Sequence, residues 1–346
     1  MKLPEFFGID IGSHSIKVAQ VQQKGEGKAK LEAIGHLETP VGILSLEDDN
    51  AKTELANKIK QIHSASGIST KKVVAALPES TIFTRIILLP DVPEKDLEES
   101  VYYEAKQYLP TPVSDVQLDY IPISKVQIEG KNLIRALLVA APKAIAQKYI
   151  DVMELAGLEL LALETETIAT ARAVSFVSPL EQGALVLDFG SAGTDVSVIK
   201  GRNLIFSQSI GTGSDQLTKA ITADFGLDYQ QAEQYKRTYG LLSDQADGKI
   251  ANSLAPIMQV IINEINKTIN YFRAHLQEST PKQILIVGDG AKLPGLPEYL
   301  TQNLGIQARV EDPIQNLEIK SSLKSEIAQL STVGFTVAVG LSLKSE

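Results

Sequence analysis

The chain has 346 residues, a formal net charge of −9 and no cysteine. A chain of this length favours two lobes over a single core. Its negative net charge argues against a surface that binds nucleic acid or anionic membranes. Without cysteine, disulfides and thiolate sites are excluded. Because the N-terminus lacks a signal-peptide pattern and no apolar run reaches the roughly 18 residues of a spanning helix, we expect a cytoplasmic protein that contacts membranes only through partners.

A strand, a glycine turn and a second strand are predicted at Phe7–Val21, FGIDIGSHSIKVAQV. Asp10 stands inside the apolar first strand, directly before a turn of small hydroxylated residues. The pattern returns half a chain later at Val186–Ile199, VLDFGSAGTDVSVI, where Asp188 aligns with Asp10. The spacing of the two copies predicts two related lobes.

Between the two hairpins, the pattern predicts a compact α+β module over residues 75–150. Helical spacing through EKDLEESVYYEAKQYLP ends at Pro110, since proline breaks a helix. Two strands follow around a turn at Glu129–Asn132. A further amphipathic helix ends at Gly157, a residue type that commonly terminates helices.

The second half of the chain is predicted to be rich in helices. Asp228 and Gln231 form a capping box for a helix that ends at Gly240, and a longer apolar stripe follows over Leu254–Phe272. QILIVGDGAKLPGLPEYL predicts a strand, a glycine turn and a helix. After a polar loop near residues 314–326, the last apolar stretch is VGFTVAVGLSL.

The doubled hairpin is suited to binding a chain of phosphates. Backbone N–H groups in a glycine turn attract anions, and small hydroxyls let phosphate oxygens approach closely. A carboxylate at each turn would repel phosphate, because like charges about 4 Å apart cost roughly 4 kcal/mol at an effective dielectric near 20. A divalent cation reverses that sign, so Asp10 and Asp188 are predicted to hold Mg²⁺ beside the phosphates.

Three glycine turns resemble the two phosphate hairpins and the adenosine motif of the actin-like ATPase superfamily: FGIDIGSHSIKV, ALVLDFGSAGTDVSVI and ILIVGDGAKLPGL. LETETIATARAV and TVAVGLSL are similar to its two connecting helices. The resemblance covers essentially the whole chain, in the right order. It implies an α/β fold of two lobes, each with a mixed sheet and flanking helices, that binds ATP or ADP with Mg²⁺, and it leaves open whether the protein also hydrolyses ATP slowly.

The resemblance also implies a division of the chain into lobes. The inserted α+β module, residues 75–150, belongs to the first lobe. The second lobe includes a helical subdomain at about 214–280 and the adenosine motif at about 283–300. The first lobe is expected to comprise residues 1–74, 151–181 and 331–346, and the second residues 182–330.

Candidate site residues follow from matching this chain to those motifs. Asp10 and Asp188 match the aspartates that organise the metal. Glu166 falls where a polar residue orients the attacking water and is the candidate general base, with Glu164 as its competitor. Asp289 stands where relatives carry a small residue. The predicted nucleotide-binding residues are Gly12, Ser13, His14, Ser15, Lys17, Gly190, Ser191, Ala192, Thr194, Gly211, Gly213, Glu233, Lys236, Gly288, Asp289, Gly290 and Leu293.

Several of these residues also have a purely structural interpretation. Glu233 and Lys236 match ribose and base contacts, but at this spacing they also form an ordinary surface ion pair. Glu166 is equally explained as a solvent-facing residue at a helix start, which the helix dipole favours. His14 is expected to be a solvated turn residue rather than a metal ligand, and Asp215 to cap the helix that follows it.

The inserted module narrows the resemblance to the PilM proteins of type IV pilus assembly. AALPESTIFTRIILLP, YYEAKQYLP and LLVAAPKAIAQKYIDVMELAGL are similar to the PilM module, and the C-terminal amphipathic helix of FtsA is not expected here. The resemblance implies a scaffold at the cytoplasmic face of the inner membrane. Its implied partners are the N-terminal peptide of a PilN-like inner-membrane protein, held in a groove beside the module, other platform proteins, and further copies of the chain.

Two alternative functions stay open from the sequence. One is an FtsA-like division protein or another filament-forming actin homologue. The other is a sugar-kinase-like phosphotransferase, which requires a catalytic aspartate that the sequence does not identify.

Overall fold

Three β-sheets organise the described part of the chain, which in the computed structural model comprises residues 3–25, 27–40, 42, 48–276 and 281–345. The strands are β1 Phe7–Ile11, β2 Ser15–Gly25, β3 Lys28–Glu38, β4 Lys72–Leu77, β5 Phe83–Pro90, β6 Val116–Ile128, β7 Lys131–Pro142, β8 Glu159–Thr165, β9 Ala184–Phe189, β10 Thr194–Lys200, β11 Asn203–Ile210, β12 Gln283–Val287, β13 Gln307–Val310 and β14 Glu318–Ile319. The helices are α1 Asp49–Ala65, α2 Glu94–Tyr108, α3 Lys143–Leu155, α4 Glu166–Val177, α5 Ser214–Phe225, α6 Tyr229–Tyr239, α7 Lys249–Leu276, α8 Leu296–Leu304, α9 Lys324–Ile327 and α10 Thr336–Ser342.

The first sheet has the strand order β14-β3-β2-β1-β4-β8. The antiparallel β1–β2 hairpin sets Asp10 opposite Lys17, and β4 and β8 run parallel. Helices cover both faces of this sheet. Phe7 and Ile9 pack on the side of α1 and α3, while Val74 and Ala76 pack towards α4 and α10. Burial on both faces explains why β1 and β4 are almost continuously apolar.

The second sheet has the order β11-β10-β9-β12-β13. Its β9–β10 hairpin repeats the first one and sets Asp188 opposite Asp195. One face packs against α5, α6, α7 and α8 through residues such as Leu187 and Ile261. The other face packs against α4, through Ala171 and Val174. Helix α4 therefore lies between the two large sheets.

The third sheet, of order β5-β7-β6, is the inserted module. Helix α2 covers one of its faces with Leu97, Val101 and Ala105. The other face presents Leu137 and Val139 to α4 and to the second sheet. The module is thus packed against the helix that separates the two lobes.

The predicted α/β organisation, with two mixed sheets and an inserted α+β module, is confirmed. The sheets assign some segments differently from the predicted boundaries at residues 75, 150 and 330. Strand β4 ends at Leu77 within the first sheet, and α3 packs on the first-lobe core through Val152. The predicted polar loop contains β14 and α9, because Leu317 and Leu323 are buried against the first lobe.

The two connecting helices, α4 and α10, approach each other closely at Gly340. A Cβ on Gly340 would clash with the carbonyl oxygen of Ala169 in α4, and a Cβ on Gly8 would clash with α10. The amide of Gly8 donates instead to Ser342 Oγ at 3.1 Å. Small residues thus bring α10 close to both α4 and β1. Among the described residues, no helix is both long enough and apolar enough to cross a bilayer.

Candidate functional site

A cavity of about 280 Å³ lies between the turns of the two repeated hairpins. Three glycine turns converge on it, each following a buried strand, which is the arrangement that the doubled motif predicts. Of the predicted site residues, those that line it are Asp10, Gly12, Ser13, His14, Ser15, Lys17, Glu166, Asp188, Gly190, Ser191, Ala192, Gly211, Gly288 and Asp289.

The turns are held in place by backbone contacts. In the first turn, the amide of Gly12 donates to the carbonyl of Ser15 at 3.1 Å. In the second, the carbonyls of Gly190 and Ser191 accept from the first amides of α5, at 2.9 and 3.0 Å. Gly288 has φ +84°, and a Cβ there would clash with the Asp188 carboxylate. Glycine at this point lets Asp188 lie against the third turn.

Little positive charge lies near the two aspartates that are predicted to bind the metal. Burial raises the pKa of Asp10 to about 6, although the Lys17 ammonium opposes this. Burial and the nearby Asp10 charge raise the pKa of Asp188 to about 7. Burial would lower the pKa of Lys17, but the Asp10 and Asp289 carboxylates outweigh it, and Lys17 Nζ lies 2.6 Å from Asp289 Oδ2. A site with more carboxylates than cations favours binding of a further cation.

Glu166 is the first residue of α4 and faces the cavity. Its carboxylate accepts a hydrogen bond from the amide of Glu79 at 2.9 Å. Burial, followed by the charges of Asp195 and Asp10, raises the pKa of Glu166 well above its usual range. A solvent-facing helix start does not describe this environment. Its competitor Glu164 is paired instead with Arg172, at 2.8 and 3.0 Å, and does not line the cavity.

Six predicted nucleotide contacts lie outside the cavity lining: Thr194, Gly213, Glu233, Lys236, Gly290 and Leu293. Lys236 is 5% exposed, lies 2.7 Å from Glu233 and donates to the carbonyl of Ser214 at 3.1 Å. Burial opposes ionisation of Glu233, but hydrogen bonds from Lys236, Thr218 and Arg237 lower its pKa to about 2. The pair is therefore a partly buried contact between α6 and the start of α5, whose first amides donate to the second glycine turn.

The other four outer positions have structural contacts, and Leu293 among them is buried in the core of the second lobe. Thr194 is fully buried and donates to the carbonyl of Thr212 at 2.7 Å. A Cβ on Gly290 would clash with Phe189, and one on Gly213 would clash with the carbonyl of Ser191. Gly213 is also the N-cap position of α5, so the prediction that Asp215 caps this helix is wrong.

Asp215 instead contacts the first lobe. It lies in the first turn of α5, where Asp215 Oδ1 is 3.4 Å from His14 Nε2. The His14 side chain is half exposed, as expected for a turn residue. This contact links the first glycine turn to the second lobe.

Sequence reasoning missed part of the lining. The missed residues are Ile11, Pro78, Ser80, Gly193, Asp195, Ser209, Ile210, Gly334 and Val337. Aligning the two hairpins pairs Asp195 with Lys17, so the repeat itself contained the signal for Asp195. Burial and the Glu79 charge raise the pKa of Asp195 to about 8. Pro78 and Ser80 come from a tight turn distant in sequence from every glycine motif, and no comparable signal marks them.

Within the described ranges, no group of three or more histidine, aspartate or glutamate side chains is arranged to hold a metal ion by itself. Asp10 and Asp188 offer carboxylate oxygens, the donors that Mg²⁺ prefers, and their charges interact. Since Mg²⁺ usually completes its shell with water and phosphate oxygens, a pair of carboxylates beside a phosphate turn fits this ion.

The lobes, the paired hairpins and the cavity between them define an actin-like ATPase fold. MreB 5 of Spiroplasma citri bound to AMPPNP has the same fold, with a TM-score of 0.55, 15% identity and coverage of 97% of this chain and 94% of that one. The cell division protein FtsA of Streptococcus pneumoniae is 24% identical over 355 residues, which cover 90% of this chain and 76% of FtsA.

The similarity is greater to a chain solved in a PilM–PilN type IV pilus biogenesis complex. That match has a TM-score of 0.84 and 27% identity and covers 98% of both chains. The model of the type IV pilus assembly protein PilM family matches residues 8–346. This chain therefore belongs to the PilM family, and it is an actin-like protein of type IV pilus assembly. The predicted resemblance is confirmed.

Proposed function

We propose that this protein binds ATP or ADP with Mg²⁺ in the cavity between its hairpins, and that it acts as a scaffold of the pilus inner-membrane platform. The observation that supports nucleotide binding best is the convergence of three glycine turns and two aspartates, the buried Asp10 and the half-buried Asp188, on one cavity. The actin-like fold supports the same assignment.

In this proposal, the residues of the first two turns bind the phosphates. Backbone amides of the turns around Gly12 and Gly190 donate to phosphate oxygens, and Lys17 contributes a positive charge. Asp10 and Asp188 hold Mg²⁺, which neutralises phosphate charge when bound. In this proposal the cation is required, because without it the carboxylates that line the cavity would repel the phosphates.

Glu166 is proposed to orient the attacking water. Burial and the nearby charges of Asp195 and Asp10 raise the pKa of Glu166 and so disfavour its ionised form, and a protonated carboxyl is a poor proton acceptor. This agrees with the expectation that any hydrolysis is slow. We propose nucleotide binding, with slow turnover at most, as the activity of this site.

The partner is proposed to be the N-terminal peptide of a PilN-like inner-membrane protein, which would bring the chain to the cytoplasmic face of that membrane. A second cavity, of about 380 Å³, lies where the module meets both lobes. Ile121 of β6, Ile168 and Phe176 of α4, and Leu204 of β11 give it apolar walls. An extended peptide with aliphatic side chains fits such a groove.

The nucleotide proposal is tested by titrating ATP and ADP with and without Mg²⁺. Asp10→Asn should lower the affinity for MgATP at least about tenfold, since one carboxylate of the proposed cation site is lost. Asp228→Asn, which keeps the cap of α6 far from the cavity, is the matched control and should bind like the parent. Equal affinity of the parent with and without Mg²⁺ would contradict the proposed cation site.

The partner proposal is tested with a synthetic PilN-type N-terminal peptide. Ile121→Glu places a charge in the apolar groove and should weaken peptide binding at least about tenfold, because a buried unpaired carboxylate is costly. Ile128→Glu lies on the same strand at an exposed position and should leave binding unchanged. If both variants bind like the parent, the peptide does not use this groove.

The alternative functions have less support. No catalytic aspartate for a sugar-kinase reaction has been assigned. Filament formation, as in an FtsA-like or other polymerising homologue, stays a prediction that sedimentation with and without MgATP would test.

A further inference from the structure

A short 3₁₀ turn, Glu79–Thr81, joins the first-lobe sheet to the inserted module. Pro78 and Ser80 line the nucleotide cavity, whereas Glu79 between them is only 3% exposed. Two residues later the chain enters β5, the first strand of the module. One turn is thus both a wall of the cavity and the start of the module.

Glu79 ties this turn to both lobes. Its amide donates to the Glu166 carboxylate at 2.9 Å, at the start of α4. Its own carboxylate accepts from Thr167 Oγ1 at 2.8 Å, also in α4, and from Ser207 Oγ at 2.8 Å, in β11 of the second lobe. Glu79 therefore contacts a cavity residue through its amide, and it contacts the helix between the lobes and the second sheet through its side chain.

The connection continues into the module. Ser207 Oγ also lies 3.1 Å from Thr84 Oγ1 in β5. Because the Ser207 hydroxyl donates its proton to Glu79, it can accept one from Thr84. Thr84 in turn pairs with Val139 of β7, the central strand of the module. Hydrogen bonds on either side of Glu79, joined through the covalent structure of that residue, therefore connect Glu166 in the cavity wall to the module sheet.

We propose that Glu79 is a positioning residue that couples occupancy of the cavity to the position of the inserted module, an inference that rests on the proposed nucleotide function. A ligand that shifts Glu166 also shifts the Glu79 amide bonded to it. Water cannot take over the contacts of a buried carboxylate at little cost, so the turn moves together with its partners. The displacement reaches β5 because the turn leads directly into that strand.

The test measures how far two ligands affect each other. The affinity for MgATP is measured with and without a saturating PilN-type peptide, for the parent, Glu79→Ala, Glu79→Gln and Thr81→Ala. In the parent, the peptide should change the MgATP affinity at least about fivefold, the lower end of typical coupling between sites. In Glu79→Ala, the affinity for MgATP should be nearly the same with and without the peptide, while each ligand still binds alone.

Two variants separate positioning from simple packing. Glu79→Gln keeps the length and the hydrogen-bonding capacity of the side chain, since the partner hydroxyls can also accept, and it should retain most of the coupling. Thr81→Ala removes a hydroxyl that donates within the same turn, to the carbonyl of Pro78 at 2.8 Å. In this variant the peptide should change the MgATP affinity as much as it does in the parent. If Glu79→Ala fails to fold, Ser207→Ala is the substitute. It removes one of the hydrogen bonds to Glu79 with a smaller loss of stability, and it should weaken the effect of the peptide on the MgATP affinity.

The outcomes distinguish the two proposals. If the parent does not bind MgATP, the proposed function fails and this inference fails with it. If the parent binds both ligands independently, the proposed function stands and the inference about Glu79 is wrong. The same conclusion follows if the peptide changes the MgATP affinity of Glu79→Ala, or of a folded Ser207→Ala, as much as that of the parent.

Discussion

At the scale of single residues, the site is dominated by carboxylates that are buried or half-buried. Lys17 and Asp195 occupy equivalent positions in the two hairpins, each opposite an aspartate. In the first hairpin the pair is Asp10 with a cation, and in the second it is Asp188 with another carboxyl group. The repeated backbone therefore carries an unbalanced charge on the side of the second lobe.

This imbalance predicts how stability depends on pH. Burial raises the pKa of Asp195 from 3.8 to about 8 in the folded chain. The folded state then binds this proton more tightly than the unfolded state, so the contribution of Asp195 to stability is complete below about pH 4 and is lost as the pH rises towards about 8. Asp195→Asn should be more stable than the parent at pH 8, and the advantage should shrink towards pH 5.

Urea unfolding at several pH values, without Mg²⁺ or nucleotide, measures this effect. A difference of one in pKa corresponds to about 1.4 kcal/mol, so the gain at pH 8 should exceed about 1 kcal/mol. Asp119→Asn, at an exposed position in the module, is the control. A parent and an Asp195→Asn variant of equal stability at pH 8 would contradict the assigned environment of Asp195.

At the scale of elements, the contact between α4 and α10 depends on a missing side chain. Gly340→Ala would place a Cβ against the backbone of Ala169, where the neighbouring atoms belong to a helix and cannot rotate away. Overpacking of this kind costs about 1–3 kcal/mol, which outweighs the roughly 1 kcal/mol that alanine gains over glycine in a helix. We expect Gly340→Ala to lower the free energy of unfolding.

Denaturant unfolding of Gly340→Ala beside Gly211→Ala provides the comparison. A Cβ on Gly211 would meet no heavy atom within 4 Å, so its effect on stability should be small. If Gly340→Ala were as stable as the parent, the close approach of α10 to α4 would not hold in solution.

The elements also show what the sequence predicts well. The helix at Glu94–Tyr108, the β6–β7 hairpin and the Asp228–Gln231 capping box were all predictable, because each depends on residues near one another in the chain. The short strand β14 was not predicted, since it exists through pairing with β3, nearly 300 residues away in sequence. Gly213 as the cap of α5 was missed for a similar reason, because its close contact with Ser191 excludes any side chain.

At the scale of the whole molecule, the two lobes meet around one helix and one cavity. Helix α4 contacts both large sheets, and the pairs Lys17–Asp289 and His14–Asp215 connect the lobes across the cavity. A ligand held by both hairpins would draw the lobes together. We therefore expect MgATP to narrow the angle between them.

The cysteine-free chain allows this to be measured with paired spin labels. Lys60→Cys on α1 and Asn303→Cys on α8 place one label at an exposed position in each lobe. The distance between the labels should decrease when MgATP is added, and the same labels in an Asp10→Asn background should show no change. An unchanged distance with nucleotide bound would contradict nucleotide-dependent closure.

The sequence by itself determined the repeated hairpins, the two aspartates, the third glycine turn and the presence of an inserted module, because periodicity, turn chemistry and repetition are local properties. Only the tertiary structure decided which residues share the cavity. It brought Asp195 and the turn at Pro78 and Ser80 to the wall, and it placed Glu233 and Lys236 behind the second turn. Burial and the distance between charges depend on segments far apart in sequence, and those quantities set the pKa of each carboxyl group and the contacts of Glu79.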